Sequence, residues 1–230
     1  MIDPMPTMPT GPTGPTGPSY RRRLVVMDVD STFITGEQID LIAAHAGTGD
    51  LVAAITERAM RGELDFARSL TERVATLAGL PVSVLDEVRA QVRTAPGALE
   101  LVRELLARGW PVALVSGGFH EIVDPIAARA GITLVRANRL EADGGVLTGR
   151  VSGPIVDRAA KARHLREFAA AEGIDLADTV AVGDGANDLD MIAAAGLGVA
   201  FAAKPVVAAQ ADVALPGPRL DAVLALLDAN

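Results

Sequence analysis

Three aspartates at two places in the chain set out the chemistry it can do. Asp28 and Asp30 stand two residues apart in Asp28-Val29-Asp30-Ser31-Thr32, directly after a short apolar run. Asp184 lies in Gly183-Asp184-Gly185-Ala186-Asn187-Asp188, after another such run, and between the two come Ser116-Gly117-Gly118 and Lys161. Singly, each segment has a plain explanation. A DxD pair can cap a strand, Ser-Gly-Gly and Gly-Asp-Gly are common turns, and a lysine early in a helix is usually solvated. Together they make a coherent set. Carboxylates gathered at one place repel and resist full ionisation. A hard cation removes that conflict, and Mg²⁺ takes a few carboxylates at about 2.0–2.1 Å, keeps waters and accepts a phosphate oxygen. Given a phosphomonoester there, Asp28 would attack phosphorus and form an acyl phosphate. Asp30, on the same side of an extended chain, would protonate the leaving alkoxide and later deprotonate the attacking water. Ser116, the neighbouring backbone N–H at Gly117 and Lys161 would bind phosphoryl oxygens. Lys161 also concentrates positive charge in a chain whose net charge is −8. Such catalysis is positioning and charge neutralisation.

The surrounding elements must bring these residues together. Leu24-Val25-Val26-Met27 reads as a buried strand. Residues 37–94 show helical spacing (Ile39, Ile42, Ala43, Ala46, then Leu51, Ile55, Ala59) with glycine breaks and no convincing strand, which predicts a small helical module. From Pro96 the pattern changes to helix 98–108 stopped by Gly109, strand 111–115 and helix 121–130. Asp143-Gly144 between 134–141 and 146–152 is a hairpin signal. Helix 158–172, strand 179–182, helix 186–195, strand 197–201, strand 212–215 and helix 219–228 follow. Alternating strands and helices predict an α/β fold: a Rossmann-like, mostly parallel sheet flanked by helices, with right-handed crossovers. In such sheets ligands bind beyond the carboxyl ends of the strands, where all the candidate residues fall.

Composition narrows the function classes. Half the residues are hydrophobic but only 3% are aromatic, so the core must be built from Ala, Val, Leu and Ile. A net charge of −8 argues against nucleic acid and against an anionic membrane surface. The absence of cysteine rules out disulfides, thiolate metal sites and a cysteine nucleophile. No apolar run reaches the roughly 20 residues of a membrane span. A cytoplasmic enzyme is expected. Residues 1–20, rich in Pro, Thr and Gly, read as a disordered tail.

The longer stretches carry a resemblance. DVDSTFITGEQID (28–40), SGGF (116–119), ANRL (137–140) and VAVGDGAND (180–188) resemble the phosphoserine phosphatases, a family of the haloacid dehalogenase-like (HAD) superfamily. The resemblance spans roughly 24–215. It implies a Mg²⁺-dependent hydrolysis of O-phospho-L-serine to serine and phosphate, the last step of serine biosynthesis, through a phosphorylated Asp28. It implies Mg²⁺ held by Asp28, the Asp30 backbone carbonyl and Asp184, with Asp188 supporting, and Asn187 on phosphate or substrate. The helical module (36–94) becomes a cap inserted after the first strand, set on a core of 21–35 and 95–230. In it Glu37 would hold the substrate ammonium and Arg73 its carboxylate, with Met60 and Phe66 as apolar shielding. Arg58, Arg61 and Arg68 lie close to Arg73 in sequence and compete for its role. Many relatives carry regulatory amino-acid-binding domains before the core; only the short tail precedes it here, so regulation of that kind is not expected. His120 has no role in the resemblance and reads as an exposed helix-start histidine, and His45 and His164 lack metal-ligand spacing. Either a monomer or a homodimer is compatible with this reading.

Two rivals remain. A phosphotransferase passing the phosphoryl group to another alcohol, such as homoserine, or a phosphatase for another small phosphomonoester, would use the same motifs. A non-catalytic binding protein on this fold would need to lose only one of Asp28, Asp30, Lys161 and Asp184, and all four are present.

Overall fold

The computed structural model describes residues 21–229. The expected tail 1–20 lies outside them. The chain opens with β1 (Leu24–Met27), all four residues fully buried. Leu24 and Val26 pack with Leu165, Phe168, Met191 and Ile192 on one face of the sheet, and Val25 and Met27 with Leu101, Leu105 and Ile122 on the other. A strand buried on both faces has no reason to alternate, hence the unbroken apolar run.

Four helices follow: α1 (Gln38–Ala46), α2 (Gly49–Met60), α3 (Phe66–Ala75) and α4 (Val84–Gln91). The chain then alternates through α5 (Ala98–Ala107), β2 (Val112–Phe119), α6 (His120–Ala130), β3 (Leu134–Asp143), β4 (Val146–Ser152), α7 (Arg158–Glu172) and β5 (Thr179–Gly183). It ends with α8 (Leu189–Ala194), β6 (Leu197–Phe201), α9 (Pro205–Ala208), β7 (Val213–Leu215) and α10 (Val223–Ala229). The strands form one sheet in the order β4-β3-β2-β1-β5-β6-β7. All neighbours are parallel except β3 and β4. The register places Met27 beside Leu114 on one side and Val182 on the other, so the loops after β1, β2 and β5 emerge together.

Several local expectations are corrected. The hairpin turn is Gly144-Gly145, one residue later than expected, with Asp143 paired to Val146. Both glycines have positive φ (55° and 84°), which a two-residue turn of this hand requires and glycine takes without strain. Strand 111–115 continues as β2 through Phe119, with a shift of register against β3 after Val115. Segment 186–195 starts as a tight turn at Ala186–Asp188 before α8, and α9 is an unforeseen short helix.

Three of the ties between the four helices and the rest lie away from the strand-end loops. Ile34 and Thr94 form an antiparallel bridge where the chain leaves and returns, with Thr35 N–H donating to the Arg93 carbonyl and Ala95 N–H to that of Phe33 (both 2.9 Å). Residues 79–82 pair with β4, Gly79 N–H to Leu147 O and Leu147 N–H to Leu80 O (both 2.8 Å). Pro125 inside α6 has no N–H to offer Glu121, four residues back, and that carbonyl accepts Arg89 Nε from α4 (2.6 Å) instead.

Candidate active site

The carboxyl end of β1 delivers Asp28, whose N–H bonds the Val182 carbonyl of β5 (2.9 Å). The chain does not stay extended beyond it. Residues 29–33 wind through one wide turn closed by Ile34 N–H on the Val29 carbonyl (2.9 Å), and Ser31 has φ 57°. Asp30 thus reaches the cavity from the turn, not from an extended strand, which corrects the sequence expectation. Its Oδ1 accepts the Gln38 N–H (2.9 Å), and its Oδ2 accepts Gln38 Nε2 (3.1 Å) and the Ser116 hydroxyl (3.4 Å).

The end of β5 delivers Asp184 and Asp188. Asp188 is fully buried, accepts the Gly185 N–H at Oδ2 (3.0 Å) and Lys161 Nζ at Oδ1 (2.6 Å). Gly183 must be glycine, since a Cβ there would lie 2.6 Å from the Asp188 Cβ. Lys161 projects from the first turn of α7, which Asp157 caps by accepting the Ala160 N–H (2.8 Å). The Lys161 ammonium also bonds Asp28. Thr32, which the sequence reading left unassigned, donates to Asp184 Oδ1 (2.9 Å) and sets that carboxylate's orientation.

One oxygen each of Asp28, Asp184 and Asp188 lies within 4.8 Å of the others, a group that can hold a metal ion. Burial, the Asp188 charge and that of Asp30 raise the Asp28 carboxyl well above the ordinary range, against the pull of Lys161. Burial and Asp188 push Asp184 up to about 6. Burial disfavours the Lys161 ammonium, yet Asp188 and Asp28 outweigh it and its affinity for the proton rises. Burial and Glu37 raise Asp30 to about 7, the Gln38 hydrogen bonds pulling the other way. One ammonium pairs with two of the three acidic groups; an all-oxygen set with surplus negative charge suits a hard divalent cation.

These groups open on a cavity of about 160 Å³. From the core it is lined by Asp28, Asp30, Gly117, Gly118, Asp184 and Asn187, and from the helical segment by Glu37, Ile39, Phe66, Leu70 and Arg73. Ser116 and Lys161 are fully buried behind this surface, Ser116 Oγ accepting the Gly118 N–H (2.8 Å). The Phe66 ring closes on Gly117, where a Cβ would come within 2.9 Å of it. Glu37 accepts the Ser31 hydroxyl (2.9 Å). Arg73 is half-buried, donates Nε to the Ser69 carbonyl (3.3 Å), and makes no ion pair among the described residues. Burial lowers its hold on the proton, with Glu37 and Asp40 opposing. Its sequence neighbours are excluded from the cavity: Arg58 pairs with Glu72, and Arg61 with Glu57 and Glu63.

Two expectations fail. Met60 is 70% exposed at the end of α2 and does not line the cavity, because α2 buries only Val52. His120 is not an exposed histidine: Nε2 accepts the Ala137 N–H (3.1 Å), so Nδ1 carries the proton and donates to Asp124 (2.7 Å), joining α6 to β3. Asn138, of the ANRL stretch, is buried and links Gly117 O (2.8 Å) to the Val156 N–H (2.8 Å) ahead of α7.

Comparison with known proteins agrees with this geometry. The sequence profile of the haloacid dehalogenase-like hydrolases matches residues 25–193. A phosphoserine phosphatase of Streptomyces coelicolor is 60% identical over 90% of this chain, which spans 50% of that relative's length. One from Streptococcus thermophilus is 55% identical over 89% of this chain and 95% of its own. A solved structure described as a phospho-aspartyl intermediate analogue of phosphoserine phosphatase superposes with a TM-score of 0.84 at 42% identity, over 90% of this chain and 99% of that one. The chain belongs to the haloacid dehalogenase-like hydrolases, within the family of the phosphoserine phosphatases.

Proposed function

We propose that the protein hydrolyses O-phospho-L-serine to serine and phosphate through an aspartyl phosphate at Asp28. The observation that carries the substrate assignment is Arg73, a half-buried cation facing the cavity with no ion-pair partner among the described residues, with Glu37 on the same wall. Phosphoserine carries a carboxylate and an ammonium on one carbon, the pair these residues complement.

In this reading Asp28, Asp184 and the Asp30 carbonyl, with Asp188 supporting, would hold a Mg²⁺ ion, which would neutralise phosphoryl charge. Asp28 attacks phosphorus, and its bond to Lys161 aims the carboxylate and favours its charged form against burial. The Gly117 N–H and the Asn187 amide at the cavity wall would donate to phosphoryl oxygens, joined by the third Lys161 N–H and by the Ser116 hydroxyl once it turns from Asp30. Asp30, on the cavity wall with both carboxyl oxygens held by Gln38, gives the leaving alkoxide the proton it needs. As a carboxylate it then takes a proton from the water that attacks the acyl phosphate. Helices α1–α4 act as the cap, with Phe66 over Gly117 excluding water. The test is phosphate release from a panel of phosphoamino acids and sugar phosphates, with and without Mg²⁺, and with added alcohols as acceptors. Phosphoserine should be turned over fastest, only with the metal, and with inorganic phosphate as the phosphorus product. A sugar phosphate turned over faster, or phosphate passed to homoserine, overturns the assignment.

A further inference from the structure

Gln38 is the first residue of α1 and is fully buried. A buried amide is stable only with both halves bonded. Nε2 donates to Asp30 Oδ2 (3.1 Å), Oε1 accepts the Phe119 N–H at the end of β2 (3.0 Å), and the Gln38 backbone N–H donates to Asp30 Oδ1 (2.9 Å). One residue therefore grips both oxygens of the Asp30 carboxyl and is itself anchored to the core sheet. The space around the grip is closed: a Cβ at Gly118 would collide with Gln38 Nε2 and lie 2.7 Å from Asp30 Oδ2.

We propose that Gln38 is a positioning residue for proton transfer at Asp30. This rests on the reading of Asp30 as proton donor to the leaving group. As the P–O bond breaks, its electron pair stays on the substrate oxygen, which takes the proton from the Asp30 O–H. The carboxylate left behind keeps both Gln38 donors, so the residue that orients the acid also stabilises its product form. Because the amide is pinned by Phe119, the carboxyl plane is fixed relative to β2 and the phosphate-binding turn.

The test uses two aryl phosphates that lack ammonium and carboxylate, so that Glu37 and Arg73 play no part. p-Nitrophenolate leaves with little need of a proton, and phenolate, more basic, needs one. kcat/KM reports the steps up to departure of the leaving group. Gln38→Met, of similar volume with neither donor nor acceptor, should lower kcat/KM about 10- to 100-fold for phenyl phosphate and less than about 3-fold for p-nitrophenyl phosphate. Gln38→Ala removes the same groups with a better helix former and should give the same contrast if the Met variant fails to fold. Equal losses on the two substrates would make Gln38 structural only, and no loss on phenyl phosphate would remove its role; either overturns the inference. Asp30→Asn separates the two claims. If it fails to widen the gap between the substrates, the acid reading itself falls. If it widens the gap and the Gln38 variants do not, the positioning role alone falls.

Discussion

On the core side of the cavity the charged groups are buried and locked to one another, whereas on the helical side each is held by one bond to a neighbour. Lys161 and Asp188 are fully buried, Asp28 nearly so, and one ammonium ties the two carboxylates together. Glu37 is exposed and bonded to Ser31, and Arg73 rests by Nε on a carbonyl of its own helix. Desolvated charges act strongly but must be paired. That is tolerable for groups that always meet a phosphoryl group and unsuitable for groups whose counter-charges arrive only with the substrate. Under the proposed function, the core wall is preorganised for the phosphoryl group and the helical wall is left to the rest of the substrate.

The comparison is broken most sharply at Asp28. Asp28→Ala should lower turnover of every phosphomonoester by about 10⁴-fold or more, the scale of losing a nucleophile, while the protein stays folded, as its circular dichroism and melting would show. Ordinary phosphate release from the folded variant would rule Asp28 out as the nucleophile. Arg73→Ala tests the other wall. Stranding a substrate charge costs about 2–5 kcal/mol, roughly 30-fold to several-thousand-fold in kcat/KM for phosphoserine, with little change for p-nitrophenyl phosphate. Lys161→Ala should harm both substrates alike. Equal losses on both for Arg73→Ala would move it to the phosphate-binding side.

A third test concerns pH. Asp184 is raised from 3.8 to about 6 and Asp30 from 3.8 to about 7 in the metal-free fold. A carboxyl raised in the fold binds its proton more tightly there than in the unfolded chain. The stability it contributes is full below the unfolded value and is lost as pH rises through the folded one. Between pH about 4 and about 7 these two groups should therefore lower the melting temperature of the metal-free protein. Mg²⁺ competes with the proton at Asp184, so the rise in melting temperature on adding it should grow across that window. A Mg²⁺ shift that is constant with pH would place the ion elsewhere. The smallest effect is expected at Met60, outside the cavity and 70% exposed. Met60→Ala should change stability by less than about 0.5 kcal/mol and leave kcat/KM for phosphoserine unaltered, and a large loss would mean that α2 closes over the substrate.

How far the site was legible follows residue by residue. Asp28, Asp30, Asp184 and Asp188 could be found because each follows an apolar strand, and a parallel sheet delivers such positions to one edge. Arg73 could be proposed only through the family, because periodicity on α3 does not separate it from Arg68; position relative to the cavity did. Gln38 carried no signal, since a glutamine at a helix start is ordinarily solvated, and Thr32 was hidden inside a motif already explained. Met60 was misplaced because an apolar residue at the end of a helix gives no indication of whether the next turn folds over or away.

What the sequence by itself determined is local: the unbroken apolar run of β1, the glycine-marked hairpin, the span of α7 and the order of strands and helices. These depend on backbone preference and burial within a few residues. What only the tertiary structure decided is who meets whom. Lys161 reaches Asp28 across 133 residues of chain, Thr32 reaches Asp184 across 152, and Gln38 reaches Phe119 across 81. Such contacts arise from how strand register and helix packing converge, and no local pattern encodes them, because each partner is satisfied only by a group far away in the chain.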